Sequence, residues 1–140
     1  MFGHGKEQRV VDAELGPLLR VRNAWRGHVR IDPFGPTPLS VPGSRSAPDD
    51  DALTLALTAN DAFEHVAPSI DAELAEHRSA YEADDTVAVA VPPGYVAVIR
   101  LDHRLVLEFG YRVPWDEEHT LGARVSEGKL IELNGSVLEP

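Results

Sequence analysis

The densest concentration of groups able to do chemistry is the run Trp115-Asp116-Glu117-Glu118-His119. Carboxylates beside an imidazole can ligate a divalent cation. They can also share acid–base work, one carboxylate orienting the ring while the ring moves a proton. Asp102-His103 is a second acid–imidazole pair that folding could bring alongside, which makes Asp116, Glu118, His119 and His103 the candidate catalytic residues. Against this, successive residues of an extended chain point to opposite faces, so one continuous run poorly supplies several ligands to one centre. The plainer reading is a turn between strands. Asp116 then caps backbone amides, Trp115 covers the core edge and His119 makes a structural hydrogen bond.

Other chemistries find less support. There is neither a His-Glu-x-x-His motif nor an oxygen-ligand calcium loop, so no metal set is assigned. The pairs Asp61/His65 and Glu73/His77 are spaced i,i+4, whereas di-iron bundles use Glu-x-x-His on two helices and glutamates from two more. Such pairs support a helix by only a few tenths of a kcal/mol. Nucleophile elbows, glycine-rich phosphate loops and dinucleotide fingerprints are missing, and no cofactor is expected. The chain has no cysteine, hence no disulfide, thiolate nucleophile or iron–sulfur ligand. Lys6, Glu7, Arg9 and Asp12 interrupt the place of an apolar leader, and no segment nears the roughly 20 apolar residues of a membrane span. A soluble cytoplasmic domain without membrane contact is the expectation.

Charge is unevenly distributed. Of the 23 acidic residues, 11 lie between Ala47 and Asp85 with one base, Arg78, so that stretch alone carries a charge equal to the net −10 of the chain. A concentrated acidic surface disfavours nucleic acid and suits a cationic partner. Asp71, Glu73, Glu76 and Glu82 are the expected partner-binding residues, flanking an apolar helix stripe. Arg20, Arg22, Arg26, His28 and Arg30 are expected to share one face of the first hairpin. That stripe lacks the aromatics that nucleic-acid stacking needs, so a solvated face or internal pairing with the acidic helices suits it better.

The elements that must position these groups follow from periodicity. A chain of 140 residues suits one domain. Apolar and polar residues alternate from Leu18 to Asp32, which predicts antiparallel strands with a turn at Asn23-Ala24. Pro33, Pro36, Pro38, Pro42 and Pro48 mark the next segment as a loop holding at most a short edge strand at Leu39 to Val41. Asp49 to Asp51 suit a helix start, and Pro68 suits the first turn of a second helix. Helices are therefore expected at 49–66 and 68–83, the second with Ile70, Leu74, His77 and Tyr81 inward. Tyr95 to Leu101 reads as a central strand. Asp102-His103 and Glu127-Gly128 read as hairpin turns. The predicted fold is α+β: strands over about 9–41, two helices within 49–83, then strands over 86–134 of a mostly antiparallel sheet.

Leu15-Gly16-Pro17-Leu18, then Trp25-Arg26-Gly27, and finally Trp115-Asp116-Glu117-Glu118-His119-Thr120-Leu121-Gly122 together resemble a group of small bacterial domains of unknown function. Their pattern opens with Leu-Gly-x-Leu and Trp-x-Gly and closes with Trp-Asp-x-Glu-His-Gly-Leu-Gly. Thr120 stands here in place of a glycine. The resemblance implies a bacterial α+β domain and brings no activity or catalytic residues. Small acidic bacterial proteins of this general kind include immunity factors encoded beside toxins. Three readings follow. One is a non-enzymatic acidic interaction module, immunity- or antitoxin-like, with a basic protein partner. Another is a metal-dependent or acid–base enzyme built on Asp116, Glu118 and His119. The third is a homodimer in which the arginine stripe of one copy meets the acidic helices of the next.

Overall fold

A computed structural model of the protein describes residues 8–81 and 91–140. Within them the period-two stretches become eight strands. β1 (Arg9–Asp12), β2 (Gly16–Val21), β3 (Ala24–Ile31) and β4 (Gly35–Pro42) precede two helices, α1 (Asp50–Leu57) and α2 (Ala59–Ala80). β5 (Tyr95–Leu101), β6 (Arg104–Val113), β7 (Asp116–Ser126) and β8 (Lys129–Asn134) follow. All eight form one sheet in chain order. Neighbours are antiparallel except β4 and β5, which run parallel at Leu39↔Val96 and Ser40↔Ala97. A parallel step needs a long crossover, and the helices lie within it. The fold is α+β with a mostly antiparallel sheet.

Both helices cover one face of the sheet. α1 contacts β4, β5 and β6, while α2 touches β3 on one side and β7 and β8 on the other, so the sheet curls around the helix pair. The core between them holds Trp25, Ile31, Val41, Val66, Ile70, Leu74, Phe109, Tyr111 and Leu121, all essentially excluded from solvent. Burial of each large aliphatic side chain is worth about 1.5–3 kcal/mol, and this inward stripe, rather than helix propensity, holds α2 in place.

The helix boundaries differ from the expectation of 49–66 and 68–83. Asp49 does cap α1, its carboxylate accepting the Ala52 N–H at 3.0 Å. The break, however, falls at Thr58, and Pro68 rides inside α2. Proline removes one donor and crowds the carbonyl four residues back. Pro68 and Glu64 both face solvent, where water can serve the carbonyl left over. Inward along α2 lie Phe63, Val66, Ile70, Leu74 and Arg78; His77 is only half-buried and Tyr81 is exposed.

The proline-rich segment is also not a loop with a short edge strand. β4 pairs with β3 over all eight residues. Pro36, Pro38 and Pro42 have the same parity, so their missing donors share one edge, and full pairing with β3 puts that edge toward β5. Pairing there involves only Leu39 and Ser40, which spares the prolines.

The turns Asp102-His103 (φ 49° and 68°) and Glu127-Gly128 (φ 52° and 75°) have the double positive φ of tight hairpins. The β2–β3 turn is Arg22-Asn23, one residue earlier than Asn23-Ala24, with Arg22 at φ 57°. A two-residue turn sets residues of opposite parity across from each other. Arg20 therefore opposes Trp25, and Leu19 opposes Arg26. The five-residue basic stripe is split: Arg20 shares the helix-side face with Trp25, Arg22 sits in the turn, and Arg26, His28 and Arg30 occupy the face away from the helices.

Candidate functional site

β6 and β7 pair at Val113↔Asp116 and again at Tyr111↔Leu121, so Glu117, Glu118, His119 and Thr120 stand opposite Arg112 alone. This wide bulge curls β7 and re-aims its side chains. Asp116 and His119 would point to opposite faces of a regular strand, yet here they meet. The His119 Nδ1 lies 2.9 Å and 3.0 Å from the two Asp116 oxygens. Asp116 Oδ1 also accepts the Glu118 N–H at 3.3 Å, and the Tyr81 hydroxyl at the end of α2 donates to the same carboxylate. Asp116 is buried while the His119 side chain is 41% exposed. With Nδ1 donating to Asp116, Nε2 is the ring nitrogen left over. His119 lines an open cleft of about 560 Å³ together with Arg112, Val113, Pro114, Asp116, Glu117, Glu118 and Thr120.

Burial alone would raise the Asp116 carboxyl. The hydrogen bonds from His119 and Tyr81, the His119 charge and the Glu118 N–H together outweigh it and hold Asp116 below the usual carboxylate range. The same contact with Asp116, reinforced by burial and by the charges of Asp116 and Glu118, raises the Tyr81 hydroxyl above its ordinary value.

A second layer supports this cluster. Trp115 Nε1–H donates to His77 Nδ1 at 2.9 Å, and the His77 ring stacks on Tyr81 with centroids 4.9 Å apart. His77 and Tyr81 read in the sequence as part of an apolar stripe, and His77 also as the i,i+4 partner of Glu73. Their i,i+4 spacing, which places them on one face of the last turn, was the available signal for a shared role.

The four sequence candidates do not converge. His103 sits in the β5–β6 turn, at the opposite end of β6 from the bulge. Ten strand residues at about 3.4 Å each place it roughly 30 Å away. Glu118 contributes its backbone N–H, and its side chain is exposed. What remains is a dyad, Asp116–His119, of the kind in which a carboxylate orients an imidazole for proton transfer. Among the described residues lining its cleft, Thr120 is the one that carries a hydroxyl. Among the described residues no group of three or more His, Asp or Glu side chains could hold a metal ion.

The acidic candidates separate as well. Asp71, Glu73 and Glu76 are all exposed on α2. Two residues of a helix turn about 200°, so Asp71 and Glu73 fall on opposite flanks, while Glu73 and Glu76 share one. Glu82 lies outside the described residues. Asp61 and Glu64, also exposed on α2, belong to the same outer surface.

No ion pair among the described residues joins these carboxylates to Arg20, Arg22, Arg26 or Arg30. Arg30 pairs locally with Asp32 at 2.8 Å, and Arg100 bridges to the Asp49 cap of the helix layer at 3.1 Å. Arg26, His28 and Arg30 look away from the helices across the thickness of the sheet. Internal pairing of the acidic helices with the arginine strand face is thereby ruled out for these residues.

No family model, curated protein or solved structure matches the chain. The resemblance carried by Leu15–Leu18, Trp25–Gly27 and Trp115–Gly122 stands on those residues alone. Among the described residues no helix is long and apolar enough to cross a membrane.

Proposed function

We propose that the protein is a non-enzymatic interaction module that presents the outer surface of its helix layer to a cationic protein, in the manner of an immunity or antitoxin protein. The observation carrying this reading is the separation of charge by the sheet. Asp50, Asp51, Asp61, Glu64, Asp71, Glu73 and Glu76 are exposed on the helices, and Arg78, the one base on them, is buried. Carboxylates left unmatched by their own fold create a field that attracts a basic surface and speeds encounter. Like-charged nucleic acid is repelled by the same field. The acidic set is redrawn from the sequence expectation: both flanks of α2 contribute, and Asp61 and Glu64 join Asp71, Glu73 and Glu76.

The test is co-expression with the products of the genes adjacent to its own. A basic protein that co-elutes at low salt and is released as salt rises supports the reading. If no adjacent product forms such a complex, the immunity-type role is wrong. Self-association through the same charges has a different signature. Helix layer to sheet back is a head-to-tail contact, which builds rings or open chains rather than a two-fold dimer.

A second reading is favoured by one observation, the buried Asp116 orienting a half-exposed His119 at an open cleft. It is an acid–base enzyme in which His119 moves a proton through Nε2. Screening for hydrolysis with wild type and His119→Ala decides it: an activity lost in the variant supports it, and activity equal in both removes it.

A further inference from the structure

The β3–β4 turn is tied to α2 by its side chains and backbone. The Asp32 N–H donates to Asn60 Oδ1 at 2.8 Å, and Asn60 Nδ2 returns a bond to Asp32 Oδ2 at 3.3 Å. This clamp holds Phe34 over the helix, with its ring edge-on to Phe63 at 6.1 Å. Phe63 in turn tilts against Phe109 in the core at 5.2 Å. Phe34 nevertheless stays 43% exposed, a large price for an aromatic residue unless something covers it. Beside it lies a cavity of about 330 Å³ with an apolar floor of Phe34, Phe63, Ala67 and Val91 and a rim that includes Glu64 and Asp71. None of the described residues lining it is basic.

The spacing along α2 explains this composition. Asn60, Glu64, Ala67 and Asp71 follow i, i+4, i+7 and i+11, so they form one row down the flank that faces Phe34. Glu64 and Asp71 are two turns apart, about 10 Å along the axis, with Ala67 between them. Asp32 on the rim is already paired with Arg30, whereas Glu64 and Asp71 have no ion-pair partner among the described residues. A group entering here meets aromatic and aliphatic walls below and two unmatched carboxylates above.

We infer that this cavity takes an arginine side chain borne by the cationic partner, as the anchor of that interface. The inference rests on the proposed function for the partner and on charge complementarity for the anchor. An arginine offers an aliphatic stem for Ala67 and Val91, a planar cation for the faces of Phe34 and Phe63, and donors for both carboxylates. Lysine matches the charge but not the stacking. An anchor in a small desolvated pocket, surrounded by charges that steer it in, is the usual anatomy of a protein interface.

The probe is N-acetyl-arginine methylamide, titrated into the full-length protein and followed by amide chemical shifts. Saturable shifts at Phe34, Asn60, Ala67 and Asp71 are expected. The neutral isostere N-acetyl-citrulline methylamide should bind at least about tenfold more weakly, and the lysine analogue several-fold more weakly. Phe34→Ala, at an exposed ring, and Asp71→Asn should each weaken the arginine probe several-fold, while Glu73→Gln on the opposite flank should leave it unchanged. Equal binding of the citrulline analogue, or shifts spread over all acidic residues without saturation, would overturn the inference. Tighter binding of free arginine than of the capped residue would assign the cavity to a small metabolite and overturn it as well. The probe needs no partner, so its failure leaves the acidic-surface reading standing. Conversely, a partner whose association ignores the helix acids defeats that reading without touching the cavity.

Discussion

Two tyrosine hydroxyls rest on two carboxylates at opposite sides of this sheet, and the two sites have different fates. On the side away from the helices, Tyr95 donates to Glu108 Oε1 at 2.7 Å. Arg124 Nε meets Glu108 Oε2 at 2.9 Å and Arg124 Nη1 reaches Glu132 at 2.8 Å. Glu108, Arg124 and Glu132 stand directly across from one another in the β6–β7–β8 register, next to a register shift of β7 on β8 between Arg124 and Val125, so cross-strand neighbours assemble this ladder. On the helix side, Tyr81 and His119 reach Asp116 only because α2 ends there and β7 bulges. The first site buries Tyr95 and Glu108, and Arg124 holds both of its carboxylates. The second keeps a half-exposed imidazole at an open cleft. The same contrast holds for charge at large among the described residues: buried charge on the sheet back is paired, and the exposed carboxylates of the helices, the Asp49 cap aside, have no ion pair.

The largest effect should come from breaking the Glu108–Arg124 ladder. Glu108→Ala leaves Arg124 largely buried without its inner partner and Tyr95 without its acceptor, and urea unfolding should show a loss of about 3–5 kcal/mol. Glu73→Ala on the helix surface should change stability by less than about 0.5 kcal/mol. Equal losses at both positions would erase the distinction. Next in size, Gly110→Ala should cost about 1–3 kcal/mol, because the Tyr95 ring lies over Gly110 where a Cβ would go. Smaller again, Asp49→Ala removes the α1 cap and the Arg100 partner, at a cost of about 1 kcal/mol in thermal unfolding.

The two sites also titrate at opposite ends of the pH scale. Burial, the bond to Glu108 and the charges of Glu108 and Glu139, only partly offset by Arg124, push the Tyr95 hydroxyl well above its ordinary value. The unfolded chain then ionises first as pH passes about 10, so this stabilisation, complete below that pH, is lost as the solution becomes more alkaline. Asp116 works in the other direction. Its folded carboxyl is more acidic than in the unfolded chain, so its contribution is present above about pH 4 and disappears as pH falls through the folded value. Melting temperatures of wild type and Asp116→Asn should therefore converge in acid, whereas Tyr95→Phe should blunt the alkaline decline. Parallel curves for wild type and Asp116→Asn down to low pH would contradict the role given to Asp116.

The regular half of this contrast was legible in the residues, and the irregular half was not. The apolar run of Tyr95 to Leu101, the turns Asp102-His103 and Glu127-Gly128, and the Asp49 cap all express local rules that the fold obeys. Pro68 broke the local rule because its exposed position makes the lost hydrogen bond tolerable. The prolines of β4 misled because their tolerance depends on which edge faces β5, a property of the partner strand. The dyad was half visible. Asp116 and His119 were candidates, but strand alternation argued against their meeting, and only the bulge opposite Arg112 reconciles the two. For His77 and Tyr81 only the shared helix face was local; their partners on β7, like the Phe34 cavity, arise where α2 meets distant segments, which no local pattern encodes.

On the proposed function, the unmatched helix carboxylates recruit a cationic partner and the sheet back does not. Stopped-flow association with that partner across a range of ionic strength tests it most directly. Amide replacement of Asp61, Glu64, Asp71, Glu73 and Glu76 should slow association by on the order of tenfold or more at low salt and flatten its salt dependence. Arg26→Ser with Arg30→Ser, on the far side of the sheet, should leave the rate at or slightly above that of wild type. A wild-type rate and salt slope in the helix variant, or a larger loss in the arginine variant, would contradict the claim.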